Sequence, residues 1–275
     1  MRPGALTSAE LKQFHEDGFI VVRGAFPRDD ALAMQDEWWS ELSETHGIER
    51  DDRSTWRPIP GDLKRAKQSP LQHKIASARV CGVIDELMGP RAWRPPADWG
   101  RAIATFPEPG DWDVPSFLWH WDNPGRLHEG AITALFVIGF IGEVAPRAGG
   151  TLVLSGSHRL LQRQDAVLPP DQRESNGVAR RELFHRSHPW LMALTGKAPS
   201  PADRVAVFMD AGTEIDGVLL RVIELTGEPG DMVFCHPTLM HCGAPNRGDQ
   251  PRFMRIKQQL MSEEGRRLHR AAHSS

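Results

Sequence analysis

After residue 90, the apolar pattern of this chain changes from a helical period to short extended segments separated by glycine and proline. No flexible linker or internal repeat divides the two parts. Many short strands with turn signals predict a β-barrel or jelly roll. We therefore predict a mainly β (α+β) protein, with a double-stranded β-helix (jelly-roll, cupin-like) core buttressed by N-terminal helices.

The pattern predicts a single domain over residues 1–275, with mostly helical support over 1–90 and the β core over 91–260. A capping box at Thr7 and Glu10 begins the first helix. Asp29 or Asp30 caps the second, and Ser69–Pro70 begins the third. The predicted strands are Phe19–Val22, Arg101–Phe106, Phe117–Asp122, Ile132–Ile141, Thr151–Leu154, Val205–Met209, Val218–Leu225, Asp231–Phe234 and Phe253–Gln259.

An insertion at about 159–204 interrupts the strand pattern with prolines and several arginines and histidines. Loops of this length are often lids or binding loops. A solvated insertion without a role is an equal alternative.

The composition of the chain limits the kinds of binding partner that we expect for it. The formal net charge is −3, which gives no reason to expect a nucleic acid. Cys81, Cys235 and Cys242 are odd in number and form no close pair, which argues against a disulfide framework and favours the cytoplasm. The longest apolar run, Ala131–Ile141, is too short to span a membrane and indicates a buried strand. We expect a small-molecule substrate, and nothing in the sequence indicates an oligomeric state.

Trp119-His120-Trp121-Asp122, read with His241, supplies two imidazoles and one carboxylate. This is the ligand set that holds ferrous iron on one face and leaves the other face open. On a strand, His120 and Asp122 point to the same side, and His241 would complete the set from another strand. The residues predict a metal site.

The tripeptide His-x-Asp is weak evidence alone, because His15-Glu16-Asp17 repeats it. That copy falls at the end of a helical pattern just before Gly18, so we interpret His15 as a surface or helix-end residue. His120 instead follows an apolar, aromatic run and precedes the turn-like Asn123-Pro124-Gly125.

Other side chains are candidates for substrate binding. Arg101 could meet an anionic group, and Trp119 or Trp121 could face the substrate beside the metal. Ordinary surface or core positions are the alternative for each. Trp38 and Trp39 fit core packing better.

The order of motifs along the chain resembles the phytanoyl-CoA dioxygenase family of iron(II)- and 2-oxoglutarate-dependent oxygenases. Four segments carry the resemblance: 14–24, 119–122, 149–159 and 230–252. It implies that His120, Asp122 and His241 are catalytic iron ligands, and that Arg252 binds the far carboxylate of 2-oxoglutarate. A guanidinium suits that task because it stays charged and binds carboxylates bidentately.

Neighbouring residues compete for these roles. Arg255 would face the opposite side of a strand from Arg252 and is interpreted as a surface residue. His236 is interpreted as a packing or supporting residue, Asn246 as structural, and His158 as a loop residue that is not a ligand. The sequence also departs from the family, with Trp121 in place of a frequent glutamine and Gly243 in place of a frequent serine.

The resemblance implies an Fe(II)- and 2-oxoglutarate-dependent dioxygenase that uses O2 to hydroxylate, or otherwise oxidise, a C–H bond of a small metabolite or natural-product intermediate. Succinate and CO2 would be released. Related halogenases lack the carboxylate that Asp122 provides, so oxygenation is favoured. The alternatives are a cupin-type metalloenzyme that does not use 2-oxoglutarate and a non-catalytic binding protein on the same fold.

Overall fold

The computed structural model describes residues 5–122, 132–169 and 177–272. Two antiparallel sheets form the core, one with strand order β1-β7-β3-β9-β2 and the other β5-β6-β4-β8. The strands are β1 Phe19–Val22, β2 Arg101–Thr105, β3 Ala134–Phe140, β4 Thr151–Ser155, β5 Thr213–Ile215, β6 Val218–Glu224, β7 Met232–Cys235, β8 His241–Gly243 and β9 Arg252–Leu260. This is the predicted jelly-roll architecture.

Helices flank the two sheets. They are α1 Ser8–Asp17, α2 Arg28–His46, α3 Lys64–Gln68, α4 Ala78–Met88, α5 Ser157–Val167, α6 Gly177–Arg186, α7 Pro189–Leu194 and α8 Glu263–Ala272. Short 3-10 helices cover Arg53–Thr55 and Pro70–Ile75, and a π-helical turn covers Ala206–Ala211. None of the helices in the described ranges is long and apolar enough to cross a membrane.

Three apolar clusters account for the packing. One fills the space between the sheets and includes Phe136 from β3 and Val153 from β4. A second joins the outer face of the five-stranded sheet to the N-terminal helices, with Trp38 and Trp39 buried as predicted. A third covers the outer face of the four-stranded sheet with α5, α6 and α7. Alternation along each strand sends successive side chains to opposite clusters.

The ends of the helices confirm one prediction and correct two. The Thr7–Glu10 capping box begins α1, and Gly18 ends it in the left-handed conformation. The second helix begins at Arg28 after Pro27, with no side-chain cap from Asp29 or Asp30. The third predicted helix is two pieces, because Ser77 accepts from the Val80 amide and starts a new helix.

Two predicted strands are wrong. Within Phe117–Asp122 only His120 forms a bridge, because Leu118 adopts a positive φ of 61° that turns the backbone out of a ladder. Val205–Met209 lies in the π-helical turn, where the Asp203 side chain accepts from the Ala206 amide at 2.8 Å. A short apolar run does not by itself distinguish a strand from a helical turn.

The described part of the 159–204 insertion is mostly helical, which corrects its interpretation as a loop. Leu160, Phe184 and Leu191 bury their side chains against the outer face of the four-stranded sheet. Burial of these apolar residues is the reason that the segment folds as helices rather than remaining solvated. The turn expected at Asn123-Pro124-Gly125 lies outside the described residues.

Candidate metal centre

His120 and His241 are neighbours although 121 positions separate them in the sequence. The His120 amide donates to the His241 carbonyl at 2.9 Å, and the His241 amide donates to the His120 carbonyl at 2.7 Å. Their ring centroids are 4.5 Å apart. His241 begins β8, so this bridge attaches the first motif to the four-stranded sheet.

Successive side chains around His120 alternate between two sides of the segment, and this alternation sets the direction of the metal-ligating side chains. Trp119 and Trp121 are each 3% exposed and belong to the cluster outside the four-stranded sheet. Trp119 donates from Nε1 to the Pro115 carbonyl at 2.7 Å, and Trp121 packs edge-on against Phe184. The two tryptophans thus fix one side of the segment, and His120 meets Asp122 on the other.

Three side chains converge there. His120 Nε2 lies 3.5 Å from Asp122 Oδ1, and His241 Nε2 lies 3.8 Å from Asp122 Oδ2. The three ligand atoms all lie within 4.8 Å of one another. Atoms that share one cation through bonds of about 2.1 Å lie at most about 4.2 Å apart, so binding a metal would require only a shift of a few tenths of an ångström in the most separated pair. Among the described residues, this is the one cluster of three or more such side chains that could hold a metal.

Hydrogen bonds on the far side of each ring orient the imidazoles. His120 Nδ1 lies 2.6 Å from the Leu118 carbonyl, and His241 Nδ1 lies 3.0 Å from the Leu239 carbonyl. Because a carbonyl only accepts, each Nδ1 carries a proton, which leaves each Nε2 as the nitrogen that can bind a metal. Phe136 stacks on His241 with centroids 4.4 Å apart and holds that ring in place.

The protonation states of the three side chains favour the binding of a cation. Burial alone would raise the pKa of Asp122, but the hydrogen bond from His120 and the charges of His241 and His120 lower it overall. Burial lowers the pKa of His241 to about 4. The hydrogen bond to Asp122 raises the pKa of His120. An ionised carboxylate and a neutral imidazole are the forms that bind metals, and a bound cation would favour neutral His120 as well.

Arg252 is a buried cation on β9. Its guanidinium donates to the Gly149 carbonyl and to the Thr105 hydroxyl, the latter at 2.7 Å. Its Nε is buried without a partner, and no carboxylate of the described residues lies within ion-pair distance. Burial lowers its pKa to about 10, so it stays charged at neutral pH. Glu224 acts on this charge from beyond ion-pair distance, so a carboxylate from outside the protein can still bind the guanidinium directly.

Free space lies beside His241. Gly243 is two residues further along β8 and therefore on the same face as His241. A Cβ placed on Gly243 would meet no atom within 4 Å. Gly243 pairs with Thr151, two residues after the Gly149 carbonyl that Arg252 contacts. The strand therefore leaves room on the face that carries His241.

Arg255 faces away from Arg252, as predicted, but it is not a surface residue. It is 3% exposed and donates to the Gln72 side chain and to the carbonyls of Ala66 and Lys67. The short helix α3 and the 3-10 helix cover that face of β9, and no helix was predicted at the position of α3. Arg255 therefore joins the helices to the sheet.

The remaining candidates lie apart from the three ligands. Arg101 forms an ion pair with Asp62 at 2.8 Å on the edge strand β2. His236 is buried with its ring centroid 4.8 Å from that of His158, and His15 lies in the exposed last turn of α1. Asn246 donates to the Thr105 and Gln250 carbonyls, in keeping with a structural role.

A cleft of about 860 Å³ opens onto two of the three ligands, His120 and Asp122. One wall is His120, Trp121 and Asp122, and the other is built from α6 and Lys197. An adjoining cavity of about 500 Å³ shares Arg181 and Lys197 with it and reaches Trp119. The insertion therefore forms a wall of the site, and Arg181, Lys197 and His185 are residues that sequence reasoning did not single out.

Comparison with known proteins agrees with this architecture. A family model described as phytanoyl-CoA dioxygenase matches residues 14–254. No curated protein matches the sequence.

Solved structures match nearly the whole chain at low identity. HygX from Streptomyces hygroscopicus, with nickel and 2-oxoglutarate bound, is 17% identical with a TM-score of 0.55, covering 95% of this chain and 89% of its own. EctD from S. alaskensis, with bound Fe, is 18% identical with a TM-score of 0.52, covering 94% and 79%. AviO1 from Streptomyces viridochromogenes Tue57 is 17% identical with a TM-score of 0.54, covering 95% and 97%. At these identities the likeness establishes the fold alone.

Proposed function

Because the chain belongs to the phytanoyl-CoA dioxygenase family of non-haem iron, 2-oxoglutarate-dependent oxygenases, we propose that it oxidises a C–H bond of a small molecule beside His120, Asp122 and His241. The observation that carries the proposal is the convergence of both Nε2 atoms on the Asp122 carboxylate. Two neutral imidazoles and one carboxylate on one side leave the other coordination positions open.

Each protein group has a separate task in this proposal. His120, His241 and Asp122 would hold iron, while the Leu118 and Leu239 carbonyls keep the rings in the ligating tautomer. Arg252 would bind the distal carboxylate of 2-oxoglutarate, and Thr105 and Gly149 hold its guanidinium in position. The space at Gly243 would admit the co-substrate between them.

Bound iron would supply the activation of O2, with 2-oxoglutarate converted to succinate and CO2 as the substrate is oxidised. Asp122 would occupy the position that a halide needs on the iron of related halogenases, so oxygenation is proposed rather than halogenation. HygX and EctD structures that hold a metal or 2-oxoglutarate support the same cofactors for this chain. Desaturation, epoxidation and ring closure use the same ligands and are alternatives to hydroxylation.

The test is an anaerobic titration of the apoprotein with Fe(II) and 2-oxoglutarate, following the metal-to-ligand charge-transfer band. We expect a band in the wild type, none in His120→Ala, and weaker binding in Arg252→Ala. His15→Ala, which alters the second His-x-Asp sequence, is the matched control and should behave like wild type. Bound iron without a band would reject the use of 2-oxoglutarate.

A further inference from the structure

Arg181 is a cation on α6 that lines the cleft together with His120 and Asp122. It is half-buried and lines both the cleft and the adjoining cavity. Its positive charge acts on both His120 and Asp122. Within the part of the chain that the structure describes, no carboxylate lies within ion-pair distance of its guanidinium.

The charges around Arg181 do not neutralise it. Glu182, next to it, accepts from Lys197 at 2.9 Å and from Arg186 one turn along the helix. One carboxylate thus serves two other cations, and this wall of the cleft carries excess positive charge. A cation facing a divalent metal site raises the energy of the loaded site unless an anion lies between them.

A second unpartnered group lies in the same wall. His185 is 8% exposed, lines the adjoining cavity, and its Nε2 has no hydrogen-bond partner among the described residues. A buried polar atom without a partner costs about 1–3 kcal/mol, so such atoms are commonly satisfied by a ligand or water. Burial lowers the pKa of His185 to about 4, so it offers a neutral ring at pH 7.

Part of the lining of the adjoining cavity is apolar. Phe117, Leu118 and Val178 line it with 65%, 72% and 68% of their surfaces exposed. These three large apolar side chains lie within one cavity wall rather than singly on the surface. Their exposure indicates contact with an apolar surface that comes from outside the chain.

We propose that Arg181 binds an anionic group of the substrate, that His185 hydrogen-bonds the same molecule, and that Phe117, Leu118 and Val178 contact its apolar body. The substrate class is a small amphipathic molecule with a carboxylate, phosphate or sulfate group. This inference rests on the proposed oxygenase site for the bond that is oxidised. It assigns the insertion a role in substrate selection.

The test uses protein loaded anaerobically with Fe(II) and 2-oxoglutarate. The probes are octanoate and octyl phosphate, with octanamide as the uncharged counterpart, and binding is followed by tryptophan fluorescence and by the charge-transfer band. We expect the wild type to bind at least one anionic probe and to prefer it over octanamide. Arg181→Gln should lower the affinity for the anionic probe at least tenfold, and Arg181→Lys should lower that affinity less.

Arg186→Gln is the matched control, because Arg186 lies on the same helix, is exposed and does not line either cavity. It should bind every probe like wild type. The proposal would be overturned if Arg181→Gln and Arg186→Gln weakened probe binding equally. It would also be overturned if the wild type bound octanamide as tightly as the anionic probes, or bound neither anionic probe. So would a selective loss of 2-oxoglutarate affinity in Arg181→Gln, which would assign Arg181 to the co-substrate. A missing charge-transfer band in the wild type would instead count against the oxygenase proposal, while fluorescence still reports probe binding.

Discussion

Thr105 and Arg252 are directly opposite residues on β2 and β9, and the Arg252 guanidinium donates to the Thr105 hydroxyl at 2.7 Å. The hydroxyl therefore helps to fix the direction of a buried charge whose Nε has no partner. Thr105 should therefore affect how Arg252 binds its carboxylate ligand, although Thr105 itself does not contact the metal site.

Replacing Thr105 with valine keeps the shape of the side chain and removes this acceptor. We expect the Kd for 2-oxoglutarate to rise about fivefold, since a hydrogen bond to a charged group contributes on the order of 1 kcal/mol or more. The Kd for Fe(II) should not change. Anaerobic titrations of each ligand measure both quantities, and an unchanged Kd for 2-oxoglutarate would remove Thr105 from this role.

Gly243 and Gly150 form a matched pair of glycines on neighbouring segments. A Cβ at Gly243 meets nothing within 4 Å, whereas one at Gly150 would lie 2.5 Å from the Leu225 carbonyl oxygen. Gly243→Ser should therefore fold with a melting temperature within about 2 °C of wild type, and Gly150→Ser should lose about 2 kcal/mol or more of stability.

The serine at 243 also adds a hydroxyl on the face of β8 that carries His241. If 2-oxoglutarate lies beside that space, within reach of the new hydroxyl but without filling it, Gly243→Ser should tighten its binding by up to about fivefold through one new hydrogen bond. A large loss of 2-oxoglutarate affinity would mean that the space is filled by the co-substrate itself.

His236 should make the protein sensitive to acid. Burial lowers its pKa to about 3, against about 6.5 in an unfolded chain. Because the folded pKa is depressed, the folded state is fully favoured above pH 6.5 and loses stability as pH falls below it, by about 1.4 kcal/mol per pH unit per buried histidine.

His236→Asn keeps an acceptor for the Thr238 amide and removes this titration. Between pH 6.5 and 4.5 it should lose roughly 1–3 kcal/mol less stability than wild type, as measured by urea unfolding. The exposed residue His73 provides the control, His73→Asn, which should follow the wild-type pH profile. Parallel profiles for wild type and His236→Asn would contradict this account.

Arg204 joins the insertion to the segment before the metal motif. Its buried guanidinium donates to the Val114 carbonyl at 2.6 Å and to the Leu194 carbonyl at 2.8 Å, with further bonds to Pro115, Ala193 and Ser200. Arg204→Met would leave several buried carbonyls unpaired and should cost about 3 kcal/mol, or roughly 6–12 °C in Tm. The exposed residue Arg221 provides the control, Arg221→Met, which should cost less than 1 kcal/mol. Similar losses in the two variants would show that the carbonyl contacts contribute little.

Local sequence patterns were sufficient to predict those parts of the site whose geometry depends only on residues close together in the sequence. Alternation placed His120 and Asp122 on the same side, even though the segment is not a strand, and the family resemblance indicated His241 and Arg252. The overall fold could be predicted because the spacing of apolar residues changes from helical to strand-like near residue 90.

Contacts between distant segments were not visible in the sequence. Nothing local to Arg255 indicates that α3 covers it, and nothing local to Arg181 indicates that α6 turns back toward Asp122. Leu118 adopts a left-handed conformation that its residue type disfavours, so the sequence pattern could not reveal the break. Such features depend on tertiary packing, which overrides local preference.

The bridge between His120 and His241 also has a consequence for how the chain folds. Two segments 121 positions apart must meet before these rings can share a cation, and closing so long a loop costs chain entropy. The centre therefore exists only in the completed barrel. A metal that binds the folded form alone stabilises it by mass action, by about 2.7 kcal/mol at a hundredfold excess over its Kd. Divalent metal supplied during refolding should accordingly rescue variants that are too unstable to accumulate without it.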